Sequence, residues 1–238
     1  MDTLYIVMPA YNEEDNIEEV VRAWHEVVAQ HNSDGKSRLI VFNDGSKDNT
    51  LNKGRELMKE LPFFEMIDKE NSGHGPTVIY GYDYAISHGA DYIFQTDSDG
   101  QTRPEEFEKF WEMRHEYDGI FGHRVNRQDG LVRKIVACVV KLLINMYFGV
   151  RVKDANAPFR LMKAEVLKKY IEKLPKDYNL PNIMITTYFT YYKEKMCYNP
   201  ITFKPRQGGV NSINLKKIIK IGIKALHDFS RLKHEMKS

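Results

Sequence analysis

Only two cysteines occur in the 238 residues, Cys138 and Cys197. Neither lies near a second Cys or a His at metal-ligand spacing, so no disulfide framework and no cysteine-based metal site is implied, which fits a reducing compartment. One sits in an apolar run and the other in a strand-like run, and both read as core residues. Long apolar runs are missing too: no stretch reaches the roughly 18 residues needed to span a bilayer. The closest, Leu131 to Val150, is broken by Arg133, Lys134, Lys141 and Asn145. A secretory leader is not expected, because Asp2 precedes only a short run and charge follows at once. Internal repeats, low-complexity stretches and clear linkers are absent as well, so one domain over 1–212 with a C-terminal elaboration over 213–238 is expected.

Net charge is also nearly absent, at +2, and no nucleic-acid partner is expected. The distribution is less even. Lys193 to the end holds 11 Lys/Arg against 3 Asp/Glu, whereas Met1 to Glu70 holds 8 against 15. A basic end suits phosphates or an anionic surface, and a solvated helix face produces the same run.

What is present is alternation. Leu4 to Met8, Leu39 to Phe42, Phe64 to Ile67 and Asp91 to Thr96 are short apolar runs. Helix-like segments over Glu13 to Gln30, Asn49 to Glu60 and Thr77 to His88 separate them, and Pro104 opens another. Glu13 to Gln30 repeats Ile17, Val20, Val21, Trp24, Val27 and Val28 at helical spacing. Such βα alternation predicts an α/β fold with a mostly parallel sheet and helices on both faces. The polar clusters at 9–13, 43–48, 71–75 and 97–101 follow strand ends, and in open α/β sheets those ends form the ligand crevice. Beyond Gly122, helices are expected over Leu131 to Phe148, Glu165 to Lys173, Asn182 to Tyr192 and Leu215 to His234, with a polar loop over Lys153 to Arg160 and a strand over Pro200 to Lys204.

The sharpest local feature is Asp97-Ser98-Asp99-Gly100-Gln101 at a strand end. Two carboxylates and a carboxamide offer oxygen to one hard cation, and Mg²⁺ and Mn²⁺ take such ligands together with substrate phosphates. A bare Asp-x-Asp also suits an ordinary turn.

Taken with that motif, several segments occur in a telling order: Met8-Pro9-Ala10-Tyr11-Asn12-Glu13, Phe42-Asn43-Asp44-Gly45-Ser46, Asn71-Ser72-Gly73-His74-Gly75, Gly122-His123-Arg124, Asp154 to Arg160, and Arg206-Gln207-Gly208-Gly209. Over residues 3–212 the chain resembles a family 2 glycosyltransferase with the GT-A fold, close to the dolichyl- or polyprenyl-phosphate sugar transferases. The resemblance implies that Pro9, Tyr11, Glu13 and Asp44 hold a nucleotide base and ribose. It places His74, Gly75 and Ser98 beside the nucleotide-sugar donor, and makes Asp97, Asp99 and Gln101 the ligands of Mg²⁺ or Mn²⁺. Glu13 also reads as a first-turn helix acid, and Asp44 as an Asp-Gly turn residue. Arg124, Arg133 and Arg206 are the cations expected to hold phosphate, Arg124 and Arg133 that of the acceptor; a solvated or membrane-facing charge is the other reading of Arg133. Asp99, Arg124, Asp154, Arg160 and Arg206 are the expected catalytic group. Asp154 would contact sugar hydroxyls or pair with Arg160.

Family members often carry an acid near the position of Asn182, and Leu180-Pro181-Asn182-Ile183-Met184 has none. A phosphate acceptor is already ionised at pH 7 and requires no base. The implied reaction is inverting transfer from a UDP- or GDP-sugar to a polyprenyl phosphate; transfer to a saccharide, or a non-catalytic nucleotide binder, are the alternatives. Lys216, Lys217, Lys220 and Lys224 flank an apolar face of Leu215, Ile218, Ile219, Gly222, Leu226 and Phe229, a pattern suited to a membrane surface. A peripheral place on the cytoplasmic face of a membrane is therefore expected, with a membrane-protein partner or a second copy left open.

Overall fold

The computed structural model describes residues 2–125, 130–204 and 228–234. The elements run β1 (Leu4–Ala10), α1 (Ile17–Gln30), β2 (Arg38–Asp44), α2 (Thr50–Glu60), β3 (Phe64–Lys69), α3 (His74–Ser87) and β4 (Tyr92–Thr96). A 3₁₀ turn (Pro104–Glu106) and α4 (Glu108–Glu112) lead to β5 (Gly119–Arg124) and α5 (Gly130–Phe148). Then come β6 (Phe159–Lys163), α6 (Ala164–Ile171), α7 (Pro181–Tyr191) and β7 (Met196–Ile201).

The seven strands form one sheet in the order β3-β2-β1-β4-β6-β5-β7. β3, β2, β1 and β4 are mutually parallel, β6 runs antiparallel to β4 and β5, and β7 is parallel to β5. Every residue of β1 is buried, as expected of a strand covered on both faces. Its side chains divide by the two-residue period of a strand. Leu4, Ile6 and Met8 join a core with α1, α2 and α4, whereas Tyr5 and Val7 join one with α3, α5, α6 and α7. The mostly parallel sheet with helices on both faces is thus observed.

The six apolar positions picked out in α1 are its buried face. Trp24 anchors that face, its ring 5.2 Å from Phe94 and 5.9 Å from Phe159.

Three expectations need correction. β5 and β6 lie where no strand was expected, and β6 begins inside the expected Lys153–Arg160 loop. β6 is only five residues long, and its Arg160 and Lys163 disguise a buried strand. β7 starts four residues before the expected strand. Cys138 is exposed and Cys197 half-buried, so neither is a full core residue. The expected helix over Leu215 to His234 and the boundary at 212–213 lie outside the described residues, apart from the helical residues 228–234. There Phe229 packs on Tyr147 and Phe148 of α5, at 6.0 and 5.5 Å between rings.

Candidate active site

β1, β2 and β4 end at one edge of the sheet, and the loops that follow are tied together. Ser98 Oγ donates to the Pro9 carbonyl at 2.8 Å, joining the β4 loop to the β1 loop. Asn12, held at φ 54°, donates its N–H to Ser46 Oγ (3.0 Å) and accepts from the Lys47 N–H through Oδ1 (2.8 Å). The Glu14 N–H reaches the Asp48 carboxylate at 3.2 Å, and the Asn49 N–H reaches Glu14 at 2.9 Å. Gly45 closes the third contact. It sits at φ +65°, and a Cβ there would stand 2.9 Å from the Asn71 nitrogen, closer than a side chain tolerates. The four polar clusters converge as expected.

Asp97 and Asp99 begin the loop beyond β4. Asp97 has 24% of its side chain exposed; its Oδ1 accepts from Gln95 Nε2 at 3.1 Å and lies 4.0 Å from His74 Nε2. Burial raises its pKa above the usual carboxylate range, against the opposing pull of His74, Arg124, Arg160 and the Gln95 amide. Asp99 Oδ1 accepts the Gln101 N–H at 3.1 Å. Gln101 is buried and donates Nε2 to the Lys204 carbonyl at 2.8 Å, while the Lys204 N–H returns to the Gln101 carbonyl at 2.8 Å. Among the described residues, no three His, Cys, Asp or Glu side chains gather into a group able to hold a metal. Two carboxylates and one carboxamide oxygen leave a coordination shell incomplete, a donor set that fits Mg²⁺ or Mn²⁺ shared with substrate phosphates.

Tyr11 is exposed at 39%, an open ring at the mouth of the crevice, whereas Pro9 and Glu13 are buried. The Glu13 N–H donates to Thr50 Oγ1 at 2.8 Å, and its Oε2 accepts from Asn16 Nδ2 at 2.8 Å. Glu13 lies four residues before α1 rather than in its first turn. Asp44 is almost fully buried. Its Oδ1 accepts from Lys69 Nζ (2.5 Å) and the Ser72 N–H (2.8 Å), and its Oδ2 from the Gly73 N–H (2.9 Å). His74 is exposed at the start of α3. Gly75 answers to a neighbouring loop: a Cβ there would meet the Tyr178 carbonyl at 2.5 Å.

Arg124 and Asp154 come together at the end of β5. Nε meets Oδ2 at 2.8 Å and Nη2 meets Oδ1 at 2.9 Å, a bidentate fork of the kind arginine favours. Asp154 therefore pairs with Arg124 and not, as one expectation had it, with Arg160. Arg160 is 1% exposed. Its guanidinium is filled by the Ala157 carbonyl (2.8 Å from Nη2) and the Asn182 carbonyl (3.0 Å from Nη1), and it lies over Phe121. Arg160 is thus held in place by main-chain carbonyls rather than by a carboxylate. Arg160 fixes the 154–160 loop against α7. Arg206 and the side chain of Arg133 lie outside the described residues.

Two features escaped the sequence reading. Lys69 stands opposite Asp44 in the β2–β3 register, but pairing across strands leaves no local mark in the chain. The Arg124–Asp154 fork spans 30 residues, and an apolar-pattern search does not register it.

Residues 5–171 match the family described as Glycosyl transferase family 2. The chain belongs to that family: it is a family 2 glycosyltransferase with the GT-A fold. It is 27% identical over 176 residues to the undecaprenyl-phosphate 4-deoxy-4-formamido-L-arabinose transferase of Shewanella sediminis (strain HAW-EB3), covering 72% of this chain and 51% of that protein. It is also 27% identical over 195 residues to the UDP-N-acetylglucosamine–dolichyl-phosphate N-acetylglucosaminyltransferase of Methanococcus voltae, covering 72% and 73%. The chain spans about half to two thirds of the length of the undecaprenyl-phosphate transferases it matches. Its fold resembles that of glucosyl-3-phosphoglycerate synthase from Mycobacterium tuberculosis, solved with Mn²⁺ and uridine-diphosphate-glucose. There the TM-score is 0.70 and identity 17%, over 96% of this chain and 79% of the other, a likeness of fold alone.

Proposed function

We propose that the chain transfers a sugar, with inversion, from a UDP- or GDP-sugar to a polyprenyl-phosphate-type lipid at the cytoplasmic face of a membrane. The observation that carries this reading is the convergence of the 9–14, 44–50, 71–75 and 97–101 loops, which brings His74 within 4.0 Å of Asp97. The exposed Tyr11 ring packs on a nucleobase, Pro9 shapes the loop beside it, and the Glu13 carboxylate takes hydrogen bonds from base or ribose. His74, at the start of α3, faces the donor beside Asp97. Asp97, Asp99 and Gln101 would hold Mg²⁺ or Mn²⁺, which when bound neutralises charge on the departing nucleoside diphosphate.

No carboxylate stands at the start of α7, where family members often carry an acid. Asn182 opens α7, buried, its Oδ1 3.4 Å from the Tyr82 hydroxyl. Asp154 is held in its fork with Arg124. A phosphate monoester with its second pKa near 6 is already largely ionised at pH 7, so it attacks without losing a proton to the protein. Among the described residues Nη1 of Arg124 makes no hydrogen bond, which leaves it to meet such a phosphate.

α5 supports a lipid acceptor. Cys138, Val139, Leu142 and Met146 leave an exposed apolar stripe along it, at the three- and four-residue spacing of one helix face. No helix among the described residues is long and apolar enough to cross a membrane, so contact along a surface is the mode proposed.

The test is transfer of labelled sugar from UDP- and GDP-sugars, with Mn²⁺ or Mg²⁺, to polyprenyl phosphate in detergent micelles. Label in the lipid phase is expected. Label moving only to added oligosaccharide favours the saccharide acceptor, and no transfer to either favours a nucleotide-binding member without activity.

A further inference from the structure

The Asp44 carboxylate is committed in an unusual way for a residue expected to meet a nucleotide. A carboxylate offers two oxygens with about four lone-pair sites. Three of them take Lys69 Nζ and the Ser72 and Gly73 N–H groups. The Asp44 carbonyl accepts a further bond from Asn71 Nδ2 at 2.6 Å. Lys69 is equally committed. Its ammonium has three protons, and Asp44 Oδ1 (2.5 Å), the Glu70 carbonyl (2.7 Å) and Ser72 Oγ (2.7 Å) take them. Only 4% of the Asp44 side chain and 17% of the Lys69 side chain are exposed.

Lys69 and Asp44 are register partners on neighbouring strands. Together they grip the three residues that enter α3. Gly73 is the residue before that helix, and His74 follows, 4.0 Å from Asp97. We infer that Lys69 is a positioning residue of the donor site: it clamps Asp44 onto the 71–73 loop, and through that loop it holds His74 beside Asp97. This rests on the donor-site reading above. Loss of the clamp leaves a buried carboxylate short of its cation and frees the loop to shift His74 relative to Asp97.

The experiment is calorimetric titration with UDP and with GDP, each with Mn²⁺, of the wild type, Lys69→Met, Asn71→Ala and Lys163→Met. Asn71 is an exposed side chain on the same loop, so its variant tests the clamp should Lys69→Met fail to fold. Lys163 pairs with Asp118 at 2.9 Å near the opposite ends of the strands and serves as a control for lost ion pairing. The expected result is dissociation constants raised about tenfold in Lys69→Met, equivalent to about 1.4 kcal/mol, and raised less in Asn71→Ala, with Lys163→Met unchanged. Unchanged constants in both loop variants, with binding intact in the wild type, would overturn the inference and leave the donor site standing. Equal weakening in Lys163→Met would reduce Lys69 to general stability and overturn it too. Absence of nucleotide binding in the wild type would overturn the donor-site reading, and this inference with it.

Discussion

Arg124 and Asp154 form a bidentate ion pair at the crevice edge, with 9% and 8% of their side chains exposed. At that depth the pair is more than a surface contact, and removing one partner leaves the other a poorly solvated charge. Truncating either residue to Ala is expected to cost about 3 kcal/mol or somewhat less, as for a buried pair broken on one side. A double-mutant cycle followed by urea denaturation should return a coupling of about 1–3 kcal/mol. Additive losses would show that the fork is not formed in solution.

Arg160 differs from Arg124 in kind, because backbone carbonyls and not a carboxylate fill its guanidinium. Arg160→Met keeps much of the bulk but strips hydrogen bonds from the Ala157 and Asn182 carbonyls. A loss of about 1–3 kcal/mol is expected, mainly from the buried Ala157 carbonyl left without its donor, since the Asn182 carbonyl still accepts from Thr186 Oγ1 at 2.8 Å. If the variant keeps wild-type stability and loses only turnover, Arg160 touches substrate after all.

Asp99→Ala separates metal binding from folding. Its side chain is half-exposed, and its Oδ1 accepts the Gln101 N–H within the same loop. Stability without ligand should fall by less than about 1 kcal/mol, the usual range for an exposed site. The Mn²⁺-dependent part of nucleotide binding should disappear. Survival of that part in Asp99→Ala would remove Asp99 from the metal set.

Acid should unfold the protein partly through Asp44. Burial pushes its pKa up, but Lys69, the Ser72 N–H and Thr77 outweigh that and hold it below the usual carboxylate value. Asp118 is lowered in the same way by Lys163 and the Lys195 N–H, again against burial. A carboxylate depressed in the folded state adds stability above its unfolded pKa of about 3.9. That stability is lost as pH falls through the lower, folded value. Urea midpoints from pH 6 to pH 3 should therefore fall most steeply below about pH 4, and Asp44→Asn should flatten the slope. An unchanged slope in Asp44→Asn would assign the acid sensitivity elsewhere.

The first half of the fold was legible because buried parallel strands announce themselves as apolar runs, and Trp24 and its helical companions mark a face. β5 and β6 were not, because Gly119, His123, Arg124, Arg160 and Lys163 break the apolar pattern, and the side chains that justify them lie far off in sequence. The same limit governed the site. Asp97, Asp99 and the convergent loops lie at strand ends, a position sequence alone can indicate. Which partner each charge takes depends on cross-strand register, and so Arg124 rather than Arg160 holds Asp154, and Lys69 holds Asp44.

A metal-assisted donor site at Asp97 and Asp99 should show itself in a thermal-shift screen. UDP, GDP, CDP, ADP and TDP would each be added with and without Mn²⁺. Binding to the folded state at a hundredfold excess over the dissociation constant stabilises by about 2.7 kcal/mol, about 5–10 °C for a chain of this size. Such a rise is expected for one nucleoside diphosphate, dependent on Mn²⁺. A well-folded sample that shifts with none of them, or shifts equally without metal, would contradict it.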